Sequence, residues 1–387
     1  MTAPPPAHDP LHLDNAAFSQ LLDLLRWVAA LLVVLQHARW RGFVPFAEVE
    51  NRGAAQALFY FISGWGHEAV VVFFVLSGYL VGGRAWQAAR QGRFRPGVYA
   101  IDRVSRLYVV AIPAILLGIG FDALAGALGY RMFHPPIVFA QAGAPVLLCN
   151  FAMLQSLVCP VAGSNAPLWS LAYEFWFYVV GGLACLAVGL RAAPRTLAVI
   201  AVLGVCALLG PGFLFGLMLW LVGVLAAVRP ARAGRALLIG AGMLLAVGLA
   251  FGRAHKAMDF SWRDLPLCAG LALLLYCLKA RSLWFPKRLE NLNRALANFS
   301  YTLYAVHMPV LLLLLSLAFP GAEGTGAALG LQPTAANVLI FATVLAGVVG
   351  VAFLLSLVSE RQTRRVRLAA YRWFLKQPRG SPREQAA

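Results

Sequence analysis

The sequence predicts an all-α protein, a polytopic bundle of about ten transmembrane helices. Of its 387 residues, 61% are hydrophobic and 12% are charged, and the mean hydropathy is +0.75. Soluble proteins are about 45–50% apolar and about 25% charged. A membrane span needs about 20 apolar residues, and the chain has enough of them for many spans. This composition excludes a disordered chain, a collagen, a coiled coil and a secreted disulfide scaffold, and it leaves no room for a large soluble domain.

Ten long apolar segments are the predicted spans. They cover residues 21–40, 67–83, 104–124, 168–190, 196–210, 213–228, 236–251, 265–278, 299–319 and 335–358. Pro211 and Gly212 interrupt the apolar run from residue 196 to residue 228, which predicts two short spans joined by a tight turn. We expect residues 1–20 to be a disordered cytoplasmic N-terminus, residues 21–359 a transmembrane domain, and residues 360–387 a basic cytoplasmic tail.

The distribution of cations predicts the orientation of the bundle. With a cytoplasmic N-terminus and ten spans, 24 of the 32 Lys and Arg residues lie on the cytoplasmic side and seven lie outside. Cytoplasmic loops of membrane proteins collect cations, so we expect both termini in the cytoplasm and no nucleic-acid partner despite the net charge of +17. If residues 196–228 formed one span, 11 cations would lie inside and 20 outside, which favours two spans. Basic residues are mixed with Leu, Tyr, Trp and Phe in the tail, which favours a surface helix on anionic membrane lipid over a regulatory or nucleic-acid role.

The first span carries two ionisable residues, Arg26 and His37. They are eleven residues apart, which is roughly 20° past three helical turns, so they share one face about 16 Å apart. Ionisable residues inside a membrane are costly and therefore mark functional sites by default. Each residue alone also has a structural explanation, because Arg26 could extend to the inner interface and His37 could end the helix at the outer one.

The fourth span begins with Trp169, Ser170 and Glu174. Ser170 and Glu174 are four residues apart and face the same way. The predicted depth of Glu174 is comparable to that of His37, so the carboxylate could orient the imidazole, although an interfacial Glu that reaches water explains it equally.

Three further segments carry candidate residues. Arg103 and Arg106 lie on one face at the start of the third span, where they favour a phosphate site or, alternatively, ordinary positive-inside decoration. Ser77 and Gly78 in the second span form a small-residue packing motif. His307 lies part-way across the ninth span, which has Pro309 close behind it.

Taken in the order in which they occur along the chain, these segments resemble the acyltransferase 3 family of bacterial integral-membrane acyltransferases. The matching residues are Arg26 and His37; Phe73, Phe74, Leu76, Ser77 and Gly78; Arg103 and Arg106; Trp169, Ser170, Leu171 and Glu174; and Ser300, Tyr301, Leu303, Tyr304 and His307. The resemblance covers residues 21–309, most of the chain, and ten spans is the usual number in that family. Each motif alone has little specificity, but the ordered set is specific.

The resemblance implies an enzyme of the bacterial cytoplasmic membrane that moves an acyl group, commonly acetyl, from cytoplasmic acyl-CoA to a hydroxyl of an extracytoplasmic or lipid-linked glycan. Acyl-CoA would be a donor substrate, and neither a permanently bound cofactor nor a metal is expected. Some relatives acylate small molecules such as macrolides instead. The oligomeric state is left open.

The resemblance also implies roles for individual residues. His37 would be the catalytic general base, or would form a covalent acyl-histidine, with Glu174 positioning it. The residues expected to bind the donor are Arg26, Arg103, Arg106, Ser77 and Gly78. Those expected to bind the acceptor are Trp169, Ser170, Tyr304 and His307.

Two other protein classes remain open from the residues alone. A glycolipid transporter or flippase would also place Arg, His and Glu inside the membrane, but it would move glycan without consuming acyl-CoA. A passive assembly subunit would leave these costly residues unexplained. Cys149 and Cys159 flank a segment expected outside the membrane, and whether they form a disulfide is also open.

Overall fold

The structure is a computed structural model that describes residues 15–130, 133, 138, 140–190, 192–230, 234–254, 260–321 and 328–376. Helices dominate these residues, and no strand is present among them. The helices are α1 (Ala16–Gly42), α2 (Ala54–Ile62), α3 (Gly66–Ser77), α4 (Gly83–Arg90), α5 (Pro96–Ala127), α6 (Ala144–Phe151), α7 (Trp169–Gly189), α8 (Ala192–Val228), α9 (Arg235–Ala254), α10 (Leu265–Leu278), α11 (Lys287–Ala297), α12 (Ser300–Ala318), α13 (Ala335–Val358) and α14 (Thr363–Leu375). The all-α, polytopic architecture is therefore confirmed.

Eight helical segments of the described chain are long and apolar enough to cross a membrane. The predicted pair within residues 196–228 lies in one of them, α8, which is broken at Gly210 (φ 80°, ψ −177°). The left-handed φ suits glycine, and Pro211 then starts the second half of α8 because its fixed φ and missing N–H suit a first helical turn. The eighth predicted span is α10, whose 14 residues make it short for a crossing. Each of the ten predicted segments thus coincides with a helix or a helix half.

Both predicted tails contain helix. Helix α1 begins at Ala16, so residues 16–20 are helical rather than disordered, while residues 1–14 lie outside the described part of the chain. The basic tail contains α14, whose Trp373 and Phe374 are 80% and 72% exposed. Residues 377–387 also lie outside the described part.

The described chain divides into two compact units. The first unit contains residues 1–26, 71–96 and 177–297. In it, a π-helical segment (Gly78–Gly82) joins α3 to α4 and packs directly against α8. A Cβ at Gly78 would lie 1.9 Å from the carbonyl oxygen of Trp220, and one at Gly223 would lie 2.1 Å from that of Val75. Only glycine permits this approach of the two backbones.

The second unit contains residues 27–70, 97–176 and 298–387. Its central element is α12, most of whose residues are buried, and α13 packs against it. Cys149 and Cys159 form a disulfide, which closes the loop between α6 and α7. Inside that loop, fully buried Asn150 donates to the carbonyls of Val146 and Pro160 and accepts from the Ala162 amide.

Candidate active site

The residues that can perform proton transfer lie in the second unit, around one turn of α12. His307 is fully buried on this helix (0% exposed). Its imidazole Nε2 lies 2.8 Å from the Nδ1 atom of His37, at the C-terminal end of α1. The structure therefore brings together the two predicted histidines across 270 residues of sequence.

The two imidazole rings form a hydrogen bond that lies in the plane of both. Their planes differ by 4° and their centroids are 5.1 Å apart. A nitrogen–nitrogen distance of 2.8 Å leaves about 1.2 Å between each centroid and its nitrogen, which is the radius of an imidazole ring. The rings of His37 and His307 consequently meet edge to edge, and the N–H of one points along the lone pair of the other.

A backbone carbonyl sets the direction of this hydrogen bond. The Nδ1 atom of His307 lies 2.6 Å from the carbonyl oxygen of Tyr304, which can only accept. In the neutral pair, His307 therefore carries its proton on Nδ1, and its Nε2 accepts from Nδ1–H of His37. The remaining nitrogen of His37, Nε2, is left with a free lone pair. This is the tautomer that a general base requires.

Two of the predicted acceptor-binding residues, Ser170 and Tyr304, lie beside this pair. The hydroxyl of Ser170 donates to the carbonyl of Pro167 at 3.2 Å and lies 2.7 Å from the Tyr304 hydroxyl, which can donate to it. The Tyr304 ring is tilted against the His307 ring at 5.8 Å between centroids. Trp169 packs edge-on against Tyr173 in the first turn of α7. Ser170, Tyr304 and His307 thus form one cluster with His37.

The positioning role predicted for Glu174 stays a prediction. In the described part of the chain, the hydrogen-bond partner of His37 is His307 and not Glu174. Glu174 is half-buried one turn after Ser170 and acts electrostatically on the Tyr304 hydroxyl.

Sequence reasoning missed Asn165, which is fully buried just before α7. Its Nδ2 atom donates to the carbonyl oxygen of Ala305 at 2.9 Å. The signal in the sequence was Pro309, because a proline inside a helix removes the N–H that would bond to the carbonyl four residues earlier. That carbonyl belongs to Ala305, two residues before His307.

The predicted phosphate-binding arginines lie on α5, seven and ten residues after its first residue, Pro96. Arg103 and Arg106 are both half-buried, and the Arg106 guanidinium lies 5.9 Å from the Tyr301 ring centroid at the start of α12. The neighbouring Asp102 accepts a 2.5 Å hydrogen bond from the Tyr371 hydroxyl on α14. The guanidinium of Arg367, also on α14, lies 3.7 Å from the same Asp102 oxygen. Arg367 of α14 and the two α5 arginines thus place cations of two helices in this region, with Asp102 among them.

The other three predicted donor-binding residues belong to the first unit. Arg26 pairs with Asp23 at 3.2 Å and donates to the carbonyl of Ala297 at 3.3 Å. Ser77 is 8% exposed; it accepts from the indole N–H of Trp220 and lies 3.3 Å from the Tyr178 hydroxyl. Gly78 is covered by the α8 backbone, as described above. For Ser77 and Gly78 these are the contacts of packing residues, and their donor-binding role stays a prediction.

No group of three His, Cys, Asp or Glu side chains suited to a metal ion occurs among the residues that the structure describes. The fold and the site thus define a multi-pass membrane protein with a hydrogen-bonded imidazole pair, in which the His307 ring is fully buried. The profile of the acyltransferase domain of the acyltransferase 3 family matches residues 20–357, and the chain belongs to that family. Neither a curated protein nor a solved structure gives a significant match.

Proposed function

We propose that this membrane acyltransferase takes an acyl group, acetyl in the first instance, from acyl-CoA and transfers it to a hydroxyl of an extracytoplasmic or lipid-linked glycan. Family membership supports acyl transfer in general. The observation that carries the proposal is the imidazole pair, because its geometry leaves Nε2 of His37 free to accept a proton from an alcohol.

The chemical step is an attack of the acceptor hydroxyl on the thioester. A C–O bond forms at the carbonyl carbon while the C–S bond breaks, and the hydroxyl proton passes to Nε2 of His37. The imidazolium then protonates the departing thiolate, so CoA leaves as the free thiol. While His37 is charged, its Nδ1–H donates a stronger, charge-assisted hydrogen bond to neutral His307. His307 therefore orients the base and stabilises its protonated form, as the third member of a nucleophile–base–orienter set does.

The donor would be held through its phosphates. Arg103 and Arg106 supply fixed cations whose guanidinium groups suit phosphate oxygens. The pantetheine arm would then reach from these arginines towards His37. Arg103, Arg106 and His37 all belong to the second unit.

The proposed orientation places the donor in the cytoplasm of a bacterial cell and the acceptor outside. The disulfide between Cys149 and Cys159 supports it, because disulfides persist in oxidising compartments. This loop is one of those that the cation distribution assigns to the outer side.

The test uses membranes from a strain that lacks this protein, the purified enzyme and radiolabelled acetyl-CoA. We expect label in the glycan fraction and release of an equal amount of free CoA thiol. Glycan movement without CoA release would indicate a transporter and would contradict the proposed acyl transfer. Label recovered on His37 in a rapid quench, at a rate that accounts for turnover, would replace the general-base mechanism by the acyl-histidine one.

A further inference from the structure

Pro309 creates a defect in α12 next to the catalytic pair. Proline has no N–H, so the carbonyl of Ala305 loses its donor within the helix. Water cannot supply the missing donor in the hydrocarbon core, where each unsatisfied carbonyl is costly. The carbonyl needs a donor from another element.

Asn165 supplies that donor. Its Nδ2 atom lies 2.9 Å from the Ala305 oxygen, and both groups are buried. A Cβ built on Gly118 of α5 would lie 3.6 Å from Pro309 Cγ and 3.7 Å from Asn165 Cβ, so α5 closes this contact from one side. Since the Ala305 oxygen can only accept, the orientation of the Asn165 amide is fixed, and its Oδ1 has no partner among the described groups. Asn165 therefore acts here as a donor alone.

The contact fixes the part of α12 on which the imidazole pair depends. Ala305 follows Tyr304, whose carbonyl sets the proton position of His307, and His307 sets that of His37. A shift of this turn would change the distance between the Tyr304 carbonyl and His307 directly.

We propose that Asn165 is a positioning residue, which replaces the helix hydrogen bond missing at Pro309 and so holds the turn that orients His307 towards His37. The inference rests on the proposed function, because it assigns the consequence to the base His37. Misplacement of catalytic groups by about 1 Å costs about 10²-fold in rate.

The first test combines two substitutions. Asn165→Leu keeps a similar volume but removes the donor, and we expect kcat for acetyl transfer to fall by about 10²-fold with an unchanged KM for acetyl-CoA. Pro309→Ala restores the N–H that bonds to Ala305 within the helix, so the double variant should recover kcat to within a few-fold of Pro309→Ala alone. A double variant as impaired as Asn165→Leu would overturn the proposal.

A matched control separates positioning from general stability. Asn150 is equally buried and also donates to backbone carbonyls, but in the disulfide loop. Asn150→Leu should lower the Tm, and Pro309→Ala should not restore it. Rescue of Asn150→Leu by Pro309→Ala would show that the proline substitution acts by stabilising the whole protein.

A second variant covers the case in which Pro309→Ala is inactive by itself. Asn165→Asp can donate to Ala305 only while its carboxyl is protonated. Its activity relative to wild type should therefore exceed that of Asn165→Leu and should rise as the pH is lowered, or be close to wild type throughout if the carboxyl stays protonated. Equal impairment of the Asp and Leu variants at every pH would overturn the proposal. Full activity of Asn165→Leu beside an inactive His37→Asn variant would overturn it while leaving the proposed function intact.

Discussion

The Nδ1 atom of His37 and the Nε2 atom of His307 lie 2.8 Å apart in rings that are coplanar to within 4°. The hydrogen bond between the rings has one direction, from His37 to His307. The Tyr304 carbonyl holds the proton of His307 on Nδ1, so its Nε2 can only accept. A base oriented by a neutral imidazole carries no permanent counter-charge, so it adds no anion to the buried site before the reaction begins. The predictions below test this arrangement and its surroundings.

Substitutions of His307 should separate the accepting role from simple space-filling. The side-chain oxygen of His307→Gln can still accept from Nδ1–H of His37, whereas His307→Leu cannot. We expect His307→Leu to lower kcat by about 10²–10⁴-fold and the Gln variant to retain clearly more activity, each with little change in KM. Steady-state kinetics of the purified variants measure both constants, and equal losses in the two variants would contradict the role.

Arg103→Gln and Arg106→Gln should weaken donor binding rather than chemistry. Loss of a charge-assisted contact to phosphate costs about 1.5–3 kcal/mol, so KM for acetyl-CoA should rise by about 10- to 100-fold while kcat changes little. Arg90, exposed at the end of α4, provides the control, and Arg90→Gln should leave KM unchanged. An unaltered KM in both α5 variants would mean that these arginines serve only the membrane topology.

The disulfide loop should be reachable from outside the cell. After reduction, a membrane-impermeant maleimide should label Cys149 and Cys159 in intact spheroplasts, and the doubly substituted Cys149→Ser, Cys159→Ser protein should lose that label. Of the free cysteines, Cys185, Cys268 and Cys277 are buried and Cys206 is half-buried within α8, so label that persists in the double variant belongs to Cys206 and is subtracted. Labelling that requires inside-out vesicles would reverse the proposed orientation.

Because of Lys279, just beyond α10, we expect the free energy of unfolding to change with pH in the alkaline range. Lys279 is 1% exposed, and its Nζ donates to the carbonyls of Ala226, Ala227 and Arg229 at the end of α8. Burial lowers the pKa of Lys279 from 10.5 to about 8. Between these values the unfolded state binds more protons than the folded state, so the free energy of unfolding rises with pH.

The measurement for Lys279 is the Tm in detergent. The Tm of wild type minus that of Lys279→Met should increase from about pH 8 to about pH 10. The same difference for Lys287→Met, at an exposed position on α11, should stay constant. A difference that stays flat or falls for Lys279→Met would contradict the assignment.

The spans could be predicted because a long apolar run has few alternatives to a transmembrane helix. Pro211 and Gly212 even located the break in α8 to within a residue or two of Gly210. The short helices α2, α6 and α11 were not predicted, since they are too short to span a membrane.

The site was only partly predictable for a different reason. The functional residue types were readable, but their partners were not, because His37 and His307 are separated by 270 residues. Glu174 stays a predicted positioning residue, while the packing of α12 places His307 at hydrogen-bond distance from His37. Pro309 indicates that the Ala305 carbonyl lacks its donor within the helix. Only the fold shows that Asn165 donates to it.

The most direct test of the central claim, that Nε2 of His37 is the base, is acetyl transfer by a His37→Asn variant. Asparagine keeps an N–H donor close to the position of Nδ1, so the contact with His307 is preserved while the base is removed. The account predicts that glycan acetylation and acceptor-dependent CoA release are lost, while the protein keeps its Tm and its binding of acetyl-CoA. Acetylation at the wild-type rate in this variant would contradict it.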